Sequence, residues 1–250
     1  MSTGESISYE PPCLPVNHIR TKIIACKTLI GEIQPLLPAN LESFILESGL
    51  HLHPEKLRSA LQALIDEITV EAEVIILGYG LCSMGVMGLR ATHSTLVIPR
   101  QDDCVGIFLG SRRVYKKELD REAGTFFLSK GWIDAGITPL DELKRMEKQY
   151  GRRRAELIMN RMFQNYRRLA FIDMGYQNQE RYRQYARMTA KKLDLYYEEI
   201  RGTPELLGKI CNGPWDDEFV VAPPGDTIRL EHFGMAPAKG QELSSTSLNA

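Results

Sequence analysis

Short, wholly apolar runs alternate along the chain with longer stretches whose apolar residues recur every three or four positions. The short runs predict strands at Lys22–Ala25, Val74–Leu77, Leu96–Ile98, Gly124–Leu128, Leu169–Asp173 and Phe219–Ala222, with Leu193–Ile200 a strand or the approach to one. Val74–Leu77 has no polar residue at all, the pattern of a strand buried on both faces. The longer stretches predict helices at Thr28–Gln34, Leu41–Leu50, Glu55–Ile68, Met84–Arg90, Cys104–Leu109, Leu140–Tyr166, Gln177–Lys192 and Pro204–Cys211. In Glu55–Ile68, Leu57, Leu61, Leu64, Ile65 and Ile68 share one face. Asp102-Asp103 stands where the N-cap of the Cys104–Leu109 helix belongs, and Ser111–Glu122 is a strongly charged surface segment.

Strands that alternate with helices imply an α/β fold with a mostly parallel sheet and helices on both faces, a Rossmann-like three-layer arrangement. In such sheets the active site lies beyond the carboxyl ends of the strands. Residues 21–230 read as a single α/β domain. Residues 1–20, rich in Ser, Pro and Glu, read as a flexible arm, and residues 231–250 as a loose tail.

Composition narrows the function by exclusion. A formal net charge of −1 over 250 residues gives no electrostatic case for nucleic acid or an anionic membrane. No apolar run approaches the length of a membrane span. Five cysteines, an odd number without a secretory leader, do not form a disulfide framework. The expected setting is cytoplasmic, where thiols stay reduced and can ligate metal or act as nucleophiles.

Three of those thiols fall at three predicted strand ends. Thr21–Ala25 runs into Cys26, the central strand turns through Gly78-Tyr79-Gly80 to Cys82 and Ser83, and Thr95–Pro99 is followed by Arg100, Asp102, Asp103 and Cys104. If those strands are neighbours, roughly 5 Å apart, the thiols converge. Three thiolates suit an iron–sulfur cluster with one open iron, or zinc with an exchangeable fourth position. Asp102, Asp103, His93 and Asp173 are the candidates to complete or support such a site, with an ordinary N-cap the stronger role for Asp103. Cys104, heading a helix, is expected to have its thiol pKa lowered by the helix dipole. Arg100 and the Gly78–Gly85 turn are expected to bind an anionic part of a cofactor or small-molecule substrate, with Gly78, Tyr79, Gly80, Ser83, Arg100 and Asp103 as contacts. Cys13, between Pro12 and Leu14, is a bystander, and Cys211, in line with Leu206, Leu207 and Ile210, is a core thiol. His51 and His53 flank Leu52 at a spacing open to a metal pair, although a solvated loop suits them better.

Two other classes compete. Gly78-Tyr79-Gly80 supplies the first two glycines of a dinucleotide fingerprint, with Asp102 about twenty residues on, so a Rossmann-like enzyme binding a nucleotide or methyl donor without metal is the alternative. A protein-binding role would use Trp132, Trp215 and Tyr79 as exposed anchors, where buried aromatics are the simpler reading.

The runs ACKTL at Ala25–Leu29, LGYGLCSMG at Leu77–Gly85, LVIPRQDDCVGIFLGS at Leu96–Ser111, GTFFLSKGW at Gly124–Trp132 and GPWDDEFVVAPPG at Gly213–Gly225 resemble the family called domain of unknown function 1638, over about Lys22 to Ile228. Where members of that family carry His-Asp-Cys after Pro-Arg, this chain has Asp102-Asp103-Cys104, so a carboxylate replaces a histidine at 102. The resemblance implies no specific activity. It implies a place in corrinoid-linked methyl-group (one-carbon) metabolism, as enzyme or accessory protein with corrinoid-pathway proteins as partners, because members are found beside corrinoid proteins and methyltransferases.

Overall fold

The structure is a computed structural model that describes residues 19–235. Its strands form two sheets, not one. In the larger, the order is β2 (Glu42–Leu46), β1 (Thr21–Cys26), β3 (Val74–Gly78), β4 (Thr95–Pro99), β8 (Phe219–Ala222). The β1–β2, β1–β3 and β3–β4 pairs are parallel, and β8 closes the edge antiparallel to β4. The smaller sheet is wholly parallel, in the order β5 (Thr125–Leu128), β6 (Arg168–Asp173), β7 (Tyr196–Arg201). The chain is therefore α/β and mostly parallel, as expected, but the continuous sheet is corrected to two.

The two-residue period of the strands explains the layers. In the larger sheet, Ile23, Ala25, Ile76 and Val97 face one way, while Ile24, Ile75, Leu77, Leu96 and Ile98 face the other. The second face is covered by Leu57, Leu61, Ile65 and Ile68 of α2 (Pro54–Ile68), the stripe read from the sequence, with Leu64 only partly buried. The first face shares a core with Phe127, Ala170 and Ile172 of the smaller sheet, filled in by α1 (Lys27–Ile33), α3 (Cys104–Phe108) and α9 (Glu205–Asn212). One buried cluster thus joins both sheets. The outer face of the smaller sheet packs Leu128, Leu169 and Phe171 on α8 (Glu180–Lys192). The charged segment after α3 is α4 (Arg112–Arg121), capped by Ser111.

Two glycines let the halves meet. A Cβ on Gly131, in α5 (Lys130–Ala135), would stand 2.3 Å from the Thr28 carbonyl oxygen, and one on Gly31 would stand 3.3 Å from the Gly131 Cα. Helices α1 and α5 can approach this closely only without side chains there.

Three predicted helices are corrected. Leu41–Leu50 is the edge strand β2 followed by a 3-10 turn at Ser48–Leu52. Its half-buried Phe44 and Leu46 alternate with exposed Ser43 and Ile45, and five residues of period two are easily mistaken for a helical stripe. Leu140–Tyr166 is two helices, α6 (Pro139–Tyr150) and α7 (Arg152–Phe163), broken at Gly151 with φ 79° and ψ 156°. The apolar periodicity runs through the break because Leu143, Met146, Ala155 and Met159 enter one cluster from both helices. Met84–Arg90 is a series of turns. Leu230–Phe233, at the start of the proposed tail, forms a 3-10 turn with Phe233 buried. The rest of the arm and tail, with Cys13, lies outside the described residues.

Candidate functional site

Strand order decides where the three cysteines fall. Because β1, β3 and β4 are adjacent and parallel, their carboxyl ends lie side by side, and Cys26, Cys82 and Cys104 line one cavity of about 390 Å³. Cys26 ends β1 and caps α1, its Sγ accepting the Leu29 N–H at 3.4 Å. Cys104 opens α3 behind its N-cap Asp103, whose Oδ1 accepts from the N–H groups of Val105 (2.8 Å) and Gly106 (3.3 Å). The other Asp103 oxygen accepts from the Tyr115 hydroxyl at 3.0 Å. The N-cap role foreseen for Asp103 is therefore in place, at the cavity wall.

Cys82 is held differently. The N–H groups of Leu81 and Cys82 donate to the carbonyls of Gln101 (2.9 Å) and Asp102 (3.0 Å), which ties the turn after β3 to the loop after β4. The chain then passes through three consecutive left-handed residues, Cys82 (φ 45°), Ser83 (φ 57°) and Met84 (φ 71°). Each is a conformation that costs an L-residue roughly 1 kcal/mol or more. Strain of this kind, placed at a cavity, presents a side chain at an angle that regular structure cannot give. Gly78 and Gly80, where the sequence pointed to unusual backbone, are absent from the left-handed set. Their role is close packing: a Cβ on Gly78 would meet Leu29 Cδ2 at 2.5 Å, and one on Gly80 would meet the Gln101 oxygen at 2.6 Å and the Asp103 nitrogen at 2.8 Å. The side of Gly80 where a Cβ would stand is filled by the backbone of Gln101 and Asp103.

Burial holds the thiols in their protonated form. For Cys26 burial raises the pKa, partly offset by N–H groups of Leu29 and Thr28. Cys82 is pushed well up by burial and then by the nearness of Cys26 and Asp103. Cys104 is also raised, by burial first, then by Asp103 and the other two thiols. The lowering expected for Cys104 from the helix dipole is thus corrected: α3 has five residues, and a carboxylate stands beside the sulfur. Each thiol raises the cost of ionising the next, a conflict that a bound cation would resolve. Among the described residues no group of three or more His, Cys, Asp or Glu side chains stands in ligating geometry. The donor chemistry fits a soft metal, and binding would have to draw the thiols together.

Gly80 is not in the lining, while Gly78, Tyr79, Ser83 and Asp103 line the cavity, joined by Asp102. Arg100 does not: it is exposed, with its N–H donating to the Glu218 carbonyl at 2.7 Å. Among the described residues no lysine or arginine lines the cavity, whereas Glu47, Asp102 and Asp103 do. His93 is exposed just before β4, at the opposite end of the strands from the thiols. Asp173 ends β6 in the other sheet, paired with Arg183. Trp215 is partly buried, and Cys211 is fully buried in α9.

Sequence reasoning missed Glu47, and it named His51 and Trp132 in other roles; all three are in the lining. Glu47 and His51 follow β2. Once that segment is a parallel strand, its end falls on the same sheet edge as the cysteines. Trp132, edge-on to Phe108 with ring centroids 5.3 Å apart, comes from the smaller sheet's side.

Among the described residues no helix is long and apolar enough to cross a membrane. No curated protein and no solved structure matches the chain. The family model described as "Protein of unknown function (DUF1638)" matches residues 45–211, a span that holds Cys82 and Cys104 and begins after Cys26. More than half of the chain is matched, and it belongs to the DUF1638 family.

Proposed function

We propose that the cavity at the carboxyl ends of β1, β3 and β4 binds a soft metal, as zinc or an iron–sulfur cluster, through Cys26, Cys82 and Cys104. The observation that carries this is the arrival of three thiols from three adjacent parallel strands on one cavity wall. Thiolates are the preferred ligands of such metals, and their deprotonation on binding offsets the mutual repulsion described above. The N–H groups directed at the Cys26 sulfur favour a thiolate there. When bound, the metal would supply a Lewis-acidic or redox-active centre with an open position. The protein's own part is to hold the three sulfurs in a cavity whose lining also includes the apolar Leu57, Val105 and Trp132. A reduced cytoplasmic setting would keep the thiols available. Methyl-group metabolism linked to corrinoids, the setting implied by the family resemblance, suits a soft thiolate centre.

Anaerobic purification followed by metal analysis and a visible spectrum tests the proposal. Stoichiometric zinc, or iron with a thiolate–iron absorption, is expected in the wild type, with loss in Cys26→Ala, Cys82→Ala and Cys104→Ala. A wild-type protein that carries no metal and takes up neither Zn²⁺ nor reconstituted iron and sulfide would overturn it.

A further inference from the structure

We propose that the chain associates with itself head to tail, the outward face of α7 around Leu157 docking on the end of α2 around Val70 of a second copy. The proposal is independent of the metal reading above.

The two surfaces are opposites. α7 buries Ala155 and Met159 and leaves Arg153, Arg154, Leu157 and Arg161 exposed, at the three- and four-residue spacing of one helical face. Leu157 is 63% exposed. None of these three arginines has an ion pair among the described residues: Arg154 lies over the Tyr150 ring at 5.4 Å, and Arg161 donates to Gln164 at 2.8 Å. The carboxylate of α7, Glu156, is already paired with Arg152 at 3.1 Å. At the end of α2, Val70 is 66% exposed, and the carboxylates of Asp66, Glu67 and Glu71 flank it, all exposed. No lysine or arginine stands between Ser59 and Glu73. Lys22 reaches Glu71 at 2.5 Å, which leaves Asp66 and Glu67 without a cation among the described residues.

Each surface is thus an exposed aliphatic side chain flanked by like charges, cations in one and anions in the other. Like charges grouped on a helix repel one another within the monomer. Contact between the two surfaces relieves both repulsions and covers both aliphatics, with arginine the cation that interfaces favour. α2 covers the larger sheet, whereas α7 packs with α6 in a separate cluster, so one copy can engage through both at once. Because the surfaces differ, the contact is heterologous, and each added copy brings a free surface of either kind.

Sedimentation velocity of the full chain tests this, at protein concentrations up to about 100 µM and in about 20 mM salt, where exposed charges are little screened. The weight-average mass should rise with concentration above the 28.3 kDa of one chain. Raising the salt to about 300 mM should weaken association about tenfold. The double variants Arg154→Glu with Arg161→Glu, and Asp66→Lys with Glu67→Lys, should each stay monomeric. Neither removes an ion pair, so both should keep the wild-type thermal midpoint, which separates loss of contact from loss of fold. Mixed in equal amounts they should associate, because each retains the native surface that the other lacks. A wild-type mass that stays at one chain throughout, a variant that still associates alone, or a mixture that stays monomeric would overturn the proposal.

Discussion

Arg112 grips the Asp102 carboxylate through two parallel hydrogen bonds, Nε to Oδ2 at 3.1 Å and Nη2 to Oδ1 at 2.5 Å. Its remaining nitrogen donates to the Phe233 carbonyl at 3.0 Å. One side chain thereby fixes the loop between β4 and α3, whose Asp102 carbonyl receives the Cys82 N–H, to the segment that ends the described chain. Asp102, in the cavity lining, is thus held by a cation.

Arg112→Lys keeps the charge but loses the fork. Both partners are about two-fifths exposed, so the global cost should stay below about 1 kcal/mol in urea unfolding. The local effect should be larger: the Cys82 amide should exchange with solvent faster than in the wild type. Equal protection in both proteins would show that the fork does not hold the loop.

Cys82 and Cys211 separate ligation from packing. Cys211→Ala, in the core of α9, should cost about 1–2 kcal/mol and leave metal content unchanged. Cys82→Ser and Cys82→Ala should both lose metal, because serine is a poor ligand for a soft ion, and both should lose whatever stability binding lends. Equal metal content in wild type and Cys82→Ser would exclude Cys82 as a ligand.

Ser83 sits exposed at φ 57° between two other left-handed residues. Ser83→Gly relieves that conformation and should raise metal-free stability by up to about 1 kcal/mol, measured in urea, despite glycine's greater unfolded-state entropy. The same relaxation should weaken metal retention if the strain serves to aim Cys82. A variant less stable than the wild type would mean that the turn is not strained.

Glu32 is fully buried under α5, with one carboxylate oxygen accepting from Ser129 Oγ and the Gly131 N–H, each at 2.6 Å, and the other without a partner among the described residues. Burial raises its pKa, against the lowering effect of those bonds and of Lys130. The protonated form is therefore favoured by folding. Below the ordinary carboxylate range both states hold the proton and nothing is lost. As the pH rises from that range through the raised folded pKa, the unfolded chain releases its proton first and stability falls. Glu32→Gln cannot ionise, so its stability relative to wild type should improve across that window and then level off. A difference between the two proteins that is flat with pH would rule out this titration.

The predicted strands and most helices were legible because their signals are local. Val74–Leu77 is apolar at every position, the α2 stripe repeats at helical spacing, and Asp103 caps the helix that follows it. Where two periods overlap, as in Glu42–Leu46, the sequence is ambiguous, and pairing with β1 decides for a strand. That misreading also hid Glu47 and separated His51 from the cysteines, since the place of both at the cavity depends on β2 lying beside β1.

By itself, then, the sequence determined the α/β alternation, the strand ends that carry Cys26, Cys82 and Cys104, and Cys211 as a core thiol, since each follows from burial and capping within a few residues. The tertiary structure alone decided that the strands divide into two sheets and that β1, β3 and β4 are neighbours. It decided as well that Arg100, His93 and Asp173 lie away from the thiols, and that Cys82–Met84 turn left-handed instead of forming a helix. Those outcomes rest on bonds between residues distant in the chain, above all the Leu81 and Cys82 N–H groups donating to the Gln101 and Asp102 carbonyls. No local pattern of apolar and polar residues encodes such a partner, because the backbone groups that form these bonds are the same at every position.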